Sequence, residues 1–129
     1  MRLLLDTHAA IWALIAPEKL GGKIRELIDD EANSIWVSAV SIWEISIKHK
    51  LKKHSSPPFS GTEAIRYFEH AGYGLLPVTV EHAAMVDNLP LLHADPFDRL
   101  LIAQALSEPM RLVSRDRRVA AYSDTIISW

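Results

Sequence analysis

The chain has 129 residues, enough for one hydrophobic core and too few for two. Hydrophobic residues make up 49% and charged residues 23%, the balance of an ordinary globular protein, which excludes long disordered stretches. With no cysteine there is neither a disulfide nor a thiolate metal site, and a net charge of −2 means that any contact with nucleic acid must be local.

No apolar stretch approaches the roughly 20 residues of a membrane span. The first apolar run stops at Asp6, too early for a signal peptide. A cytoplasmic protein that starts directly with its first strand is expected, with residues 1–129 forming a single domain. Leu3-Leu4-Leu5 with its polar stop predicts a strand buried on both faces. Ile11 to Ala16 continues as helix until Pro17, and Lys19 to Ala32 reads as a second helix despite Gly21 and Gly22. Ser34 to Val37 is β-rich. From Ser38 the spacing turns helical, with Val40, Trp43, Ile47 and Leu51 on one side. The stretch His54 to Gly61 is a loop, followed by a helix from Thr62 to Ala71. Leu75 to Val80 is short and β-like, and a helix follows from Glu81 to about Asn88. Asp95-Pro96 opens a helix through Leu106, Arg111 to Ser114 is a strand, and Thr125 to Ser128 reads as a last strand. Strands alternating with helices predict an α/β domain, a central parallel sheet flanked by helices. Its functional crevice should lie at the carboxyl ends of the strands, which directs attention to Asp6 and Asp116.

Four acids stand out, each with an ordinary explanation beside the chemical one. Asp6, between a strand and a helix, is placed to cap that helix. Glu44 lies within about 60° of Val40, Ile47 and Leu51 on a helical wheel, which sets a carboxylate in the apolar stripe. Lys48, four residues on, and Ser41, at capping-box spacing, do not explain an acid facing inward, whereas a bound cation would. In Asp95-Pro96-Phe97-Asp98 the first acid reads as the N-cap. Asp98 shares a face with Leu101, Ile102 and Ala105, and reads equally as an inward ligand or as a first-turn acid favoured by the helix dipole. Asp116, among Arg115, Arg117 and Arg118, could be a neutralised surface turn. As a set, the four can meet at one edge of the sheet. Their mutual repulsion then calls for a cation, and an all-oxygen donor set suits Mg²⁺ or Mn²⁺. Hydrolysis of a phosphodiester is the chemistry that uses such a site.

Leu3-Leu4-Leu5-Asp6-Thr7-His8-Ala9 resembles the opening of PIN domains in VapC-type toxins. Ser38-Ala39-Val40-Ser41-Ile42-Trp43-Glu44-Ile45 resembles the segment with that family's conserved glutamate. The most specific motif is His93-Ala94-Asp95-Pro96-Phe97-Asp98-Arg99-Leu100-Leu101-Ile102-Ala103-Gln104-Ala105, and Leu112-Val113-Ser114-Arg115-Asp116 is similar to the last acidic segment. The resemblance implies a PIN fold in which Asp6, Glu44, Asp98 and Asp116 hold Mg²⁺ or Mn²⁺, with Asp95 and Ser114 as supporting residues. It implies an endoribonuclease toxin of a type II toxin–antitoxin pair that forms homodimers, is silenced by an antitoxin and cuts RNA with a metal-activated water. Arg99, Arg115, Arg117 and Arg118 are candidate RNA contacts. Lys48, Lys50, Lys52 and Lys53 are others, or simply a solvated basic helix end. Trp43 belongs to the core or to a dimer interface. A structure-specific DNA nuclease and a non-catalytic partner-binding domain are the alternatives on the same fold.

Overall fold

Three consecutive leucines can all leave water only in a strand covered on both faces, and β1 (Arg2–Leu5) is such a strand. The structure, a computed structural model describing residues 1–129, sets β1 in a four-stranded sheet of order β3-β2-β1-β4. Its partners β2 (Ser34–Ser38) and β4 (Arg111–Val113) run parallel to it, and β3 (Gly74–Leu76) continues the parallel pairing beyond β2. Side chains alternate across the sheet. Leu3 and Leu5 join Ile35, Val37 and Val113 in a core closed by α1 (Thr7–Ile15), α2 (Gly21–Asp29) and α4 (Gly61–His70). Leu4 and Leu112 face the opposite way, against Val40 of α3 (Ala39–Lys50), Leu101, Ile102 and Ala105 of α6 (Pro96–Ser107) and Val119 of α7 (Arg117–Ala120). α5 (Val80–Met85) packs beside α6. The expected parallel sheet flanked by helices is therefore present, and no helix is long and apolar enough to cross a membrane.

Several boundaries differ from the sequence pattern, each for a local reason. The start of α1 at Thr7 is not one of them: Asp6 caps the helix as its position suggests, its Oδ1 accepting the Ala9 N–H at 2.8 Å. The single helix expected from Lys19 to Ala32 is split into a 3₁₀ turn, Pro17–Leu20, and α2. Gly21 makes the break at φ 72°, a conformation that costs glycine little. β3 ends before Pro77, which has no N–H for a ladder, and Val80 already belongs to α5. The last strand expected at Thr125 to Ser128 reduces to one residue. Ile127 bridges Val113, its N–H bonded to the Leu112 carbonyl at 2.8 Å, before Trp129 turns away to donate to the Lys19 carbonyl.

The strand order matters for the site. β2 and β3 lie on one side of β1 and β4 on the other, so the crossover direction reverses between β1 and β4 and opens a crevice at their carboxyl ends. Asp6 follows β1 and Asp116 lies three residues beyond β4.

Far from that crevice, Gly74 pairs directly with Trp36, whose indole lies across it; a Cβ at Gly74 would stand 2.5 Å from the ring. Gly74→Ala should therefore lower unfolding stability by about 1–3 kcal/mol, because the indole has to move off the strand. Urea denaturation of the two proteins measures this, and an unchanged midpoint would show that Trp36 yields freely.

Candidate active site

Four elements deliver the four acids to one cleft of about 490 Å³ at the carboxyl edge of the sheet, where Trp12 is the one hydrophobic lining residue. Asp6 arrives from β1, Glu44 from the second turn of α3, Asp98 from the first turn of α6, and Asp116 from the turn after β4. Thr7, His8, Lys48, His93, Asp95, Arg115 and Arg118 complete the polar wall.

Asp6 is only 6% exposed and has no ion pair. Burial pushes its carboxyl up to about 6, against the lowering effect of the Ala9 N–H and the Ser114 hydroxyl, while the negative charge of Asp98 adds to the rise. Ser114 is fully buried and does not reach the cleft wall.

Glu44 is 4% exposed and faces inward, but of its three apolar neighbours on the helical wheel only Val40 is buried with it. Ile47 is 42% and Leu51 54% exposed; the inward face of α3 is instead Val40, Ser41, Glu44 and Ile45. Burial along α3 ends with Ile45, and its last turns stay open to solvent. Thr7 Oγ1 donates to Glu44 Oε1 at 2.7 Å and lies 2.9 Å from Ser41 Oγ. Lys48 Nζ pairs with the second oxygen, Oε2, at 2.5 Å.

Asp95 is the N-cap of α6, its Oδ1 accepting the N–H groups of Phe97 and Asp98 at 2.8 and 3.1 Å. Asp98 is raised above the ordinary carboxylate range, chiefly by burial; the charges of Asp95 and Glu44 add to the rise, and the hydrogen bond from His93 opposes it. Asp116 caps α7 and is held below its ordinary value, first by its hydrogen bond with the Arg118 guanidinium, at 3.1 Å.

His93 is the residue that sequence reasoning missed. It is 7% exposed, with Nε2 2.8 Å from Asp98 Oδ2 and 3.7 Å from Asp116 Oδ2. Nε2 therefore carries the proton and donates to Asp98, while Nδ1 is buried without a partner. His93, Asp98 and Asp116 each offer a ligand atom within 4.8 Å of the others. The signal was available: a histidine opening the most specific motif, two residues ahead of a helix cap.

Among the arginines, Arg115 and Arg118 line the cleft and Arg117 does not. Arg99 has another task. Its guanidinium donates to the Tyr122 hydroxyl at 2.9 Å and the Pro90 carbonyl at 3.0 Å, and Tyr122 also accepts the His93 N–H at 3.1 Å. These bonds staple the loop that carries His93, and they engage the guanidinium that sequence reasoning had offered to RNA.

A family model described as PIN domain matches residues 3–124. A relative named Ribonuclease VapC22, from Mycobacterium tuberculosis, is 29% identical over 124 residues, covering 93% of this chain and 91% of its own. Among solved structures, the chain is similar to VapBC2 from Rickettsia felis bound to a DNA fragment from its promoter, with TM-score 0.69 and 14% identity over 100% of this chain and 98% of that one. It is also similar to DNA-bound VapBC from Salmonella typhimurium, with TM-score 0.68 and 15% identity over 100% and 97%. At these identities the structures show a shared fold.

A carboxyl that holds its proton more tightly in the folded chain than in the unfolded one stabilises the fold where it is protonated, and that contribution is lost as pH rises. For Asp6 the loss runs from about 4, its ordinary value, to about 6. Asp6→Asn keeps the capping oxygen and removes the charge, so with chelator present it should be more stable than wild type by about 1–3 kcal/mol at pH 7.5, converging at pH 4. Urea unfolding at both pH values tests this, and a variant less stable at pH 7.5 would contradict it.

Proposed function

The chain belongs to the PIN-domain family, matched over residues 3–124, and on that premise we propose that it is a metal-dependent endoribonuclease, the toxin of a type II toxin–antitoxin pair. The observation that carries this reading is the convergence of Asp6, Glu44, Asp98 and Asp116 on one cleft at the crossover reversal of the sheet. The curated relative's name, a ribonuclease, agrees with it.

The donor set fits Mg²⁺ or Mn²⁺. It is rich in hard oxygens, it holds no thiolate, and burial has driven Asp6 and Asp98 upward in the way that a neighbouring positive charge would reverse. Asp6, Asp98, Asp116 and Glu44 would hold the ion, with Asp95 and Ser114 as supports. When bound, it supplies a Lewis acid that activates water and stabilises charge on the scissile phosphate.

The chain's own residues prepare the site. Thr7 and Lys48 fix the Glu44 carboxylate from two sides, and His93 fixes Asp98 through its Nε2–H. Arg115 and Arg118 bring positive charge to the rim, where a phosphate backbone would approach. The solved relatives that are VapBC complexes support an antitoxin as partner. A homodimer has a surface suited to it: Trp43 is 58% exposed, edge-on to Phe97 at 5.0 Å, with Ile47 and Leu51 continuing the apolar strip along α3. Such a pair would act in the cytoplasm, where RNA is available.

Mn²⁺ titrated calorimetrically into the antitoxin-free protein should bind, and Asp98→Asn should lose that heat together with at least roughly 100-fold of RNA cleavage. Matched RNA and DNA oligonucleotides make the comparison specific. Equal cleavage of DNA would turn the reading to a DNA nuclease, and no cleavage of either would leave a partner-binding domain.

A further inference from the structure

Trp12 has no part in the site chemistry described above, yet it sits where the acid cleft runs into a second one. That second cleft, about 530 Å³, follows α1 towards the loop around Pro57 and shares Thr7, His8, Trp12, Glu44 and Lys48 with the first. Trp12 is half-buried, in contrast to Ala9 and Ala10 before it, and its nearest aromatic neighbours are His8 at 5.6 Å and Trp129 at 6.1 Å. Two cations stand over the indole without closing on it, Lys19 Nζ at 5.8 Å and Arg115 Cζ at 5.9 Å from the ring centre. Both side chains are exposed and free of ion pairs.

We propose that Trp12 is a nucleobase-stacking platform for single-stranded RNA, with Arg115 closing over the far face of the base. The proposal rests on the ribonuclease reading. A planar group held between two others at van der Waals contact separates them by about 7 Å. Arg115 therefore needs to withdraw by only about 1 Å from its 5.9 Å position. Indole and guanidinium planes are the surfaces on which unpaired RNA bases stack. Arg115 immediately precedes Asp116, so a base in this slot places its own phosphate beside the acid cluster. Lys19 extends the positive charge along the second cleft, as a backbone leading away from the site requires. Stacking uses the face of the base, which a duplex hides, so the slot selects unpaired RNA and tolerates any sequence at that position.

The test measures fluorescence anisotropy of a labelled twelve-nucleotide RNA of mixed sequence, single-stranded or annealed to its complement, in the Asp98→Asn background that prevents turnover. Trp12→Leu, which fills much of the volume without an aromatic face, should weaken single-strand binding roughly tenfold or more and leave duplex binding unchanged, while Trp12→Phe should keep most of the affinity. Unchanged single-strand affinity in Trp12→Leu, or an equal loss on duplex, would overturn the proposal. Mn²⁺ titration of the wild type reports on the nuclease reading separately. A chain that binds Mn²⁺ and cuts RNA without dependence on Trp12 loses the platform alone. A chain whose RNA binding depends on Trp12 but that binds no Mn²⁺ keeps the platform and loses the nuclease reading.

Discussion

Strand β1 is hydrogen-bonded along both edges and covered on both faces, so the backbone at its carboxyl end cannot shift to relieve the carboxylate that follows. Asp6 is itself buried, and of the four acids it is the one left without an ion pair. The rest of the cleft answers that constraint. Lys48 pairs with Glu44 and Arg118 with Asp116, while His93 stands between Asp98 and Asp116. A folded chain that keeps four acids on one cleft in this way gives up stability for a local concentration of negative charge.

Holding the acids in place falls to a second layer of polar contacts, most of them buried. Behind the sheet, the Ser38 hydroxyl donates to Gln104 Oε1, and Gln104 Nε2 donates to the Pro77 carbonyl. His82 Nδ1 accepts the Thr79 N–H, which leaves Nε2–H for Glu108 at 2.6 Å. This chain of bonds ties the ends of β2 and β3 to α5 and α6, and so sets the angle at which α6 offers Asp98 to the cleft. On the other flank, Arg99 and Tyr122 do the same for the loop that carries His93.

Much of the site was legible in the sequence because caps and strand ends are local signals. An aspartate after an apolar run, and Asp95-Pro96 ahead of a periodic helix, announce themselves over a few residues, and the structure has caps at both. What was not legible depends on length in space. Burial along α3 ends with Ile45, so Ile47 and Leu51 remain exposed although their period matches Val40. Arg99 looked like a cation for RNA, because no local pattern shows that Tyr122 and the Pro90 carbonyl come within its reach. Nothing near Trp12 in the chain tells of Arg115.

By itself the sequence determined the class of the fold and singled out four acids that the structure brings to one cleft, through hydrophobic period, capping chemistry and a resemblance carried by contiguous motifs. Only the tertiary structure decided which groups face those acids. His93 is five residues from Asp98 in the chain, whereas Thr7 meets Glu44 across 37 positions and Arg115 reaches Trp12 from the turn after β4. The reason is physical: burial and pairing depend on distances that close only when β4 returns beside β1, and no periodicity along the chain encodes that return.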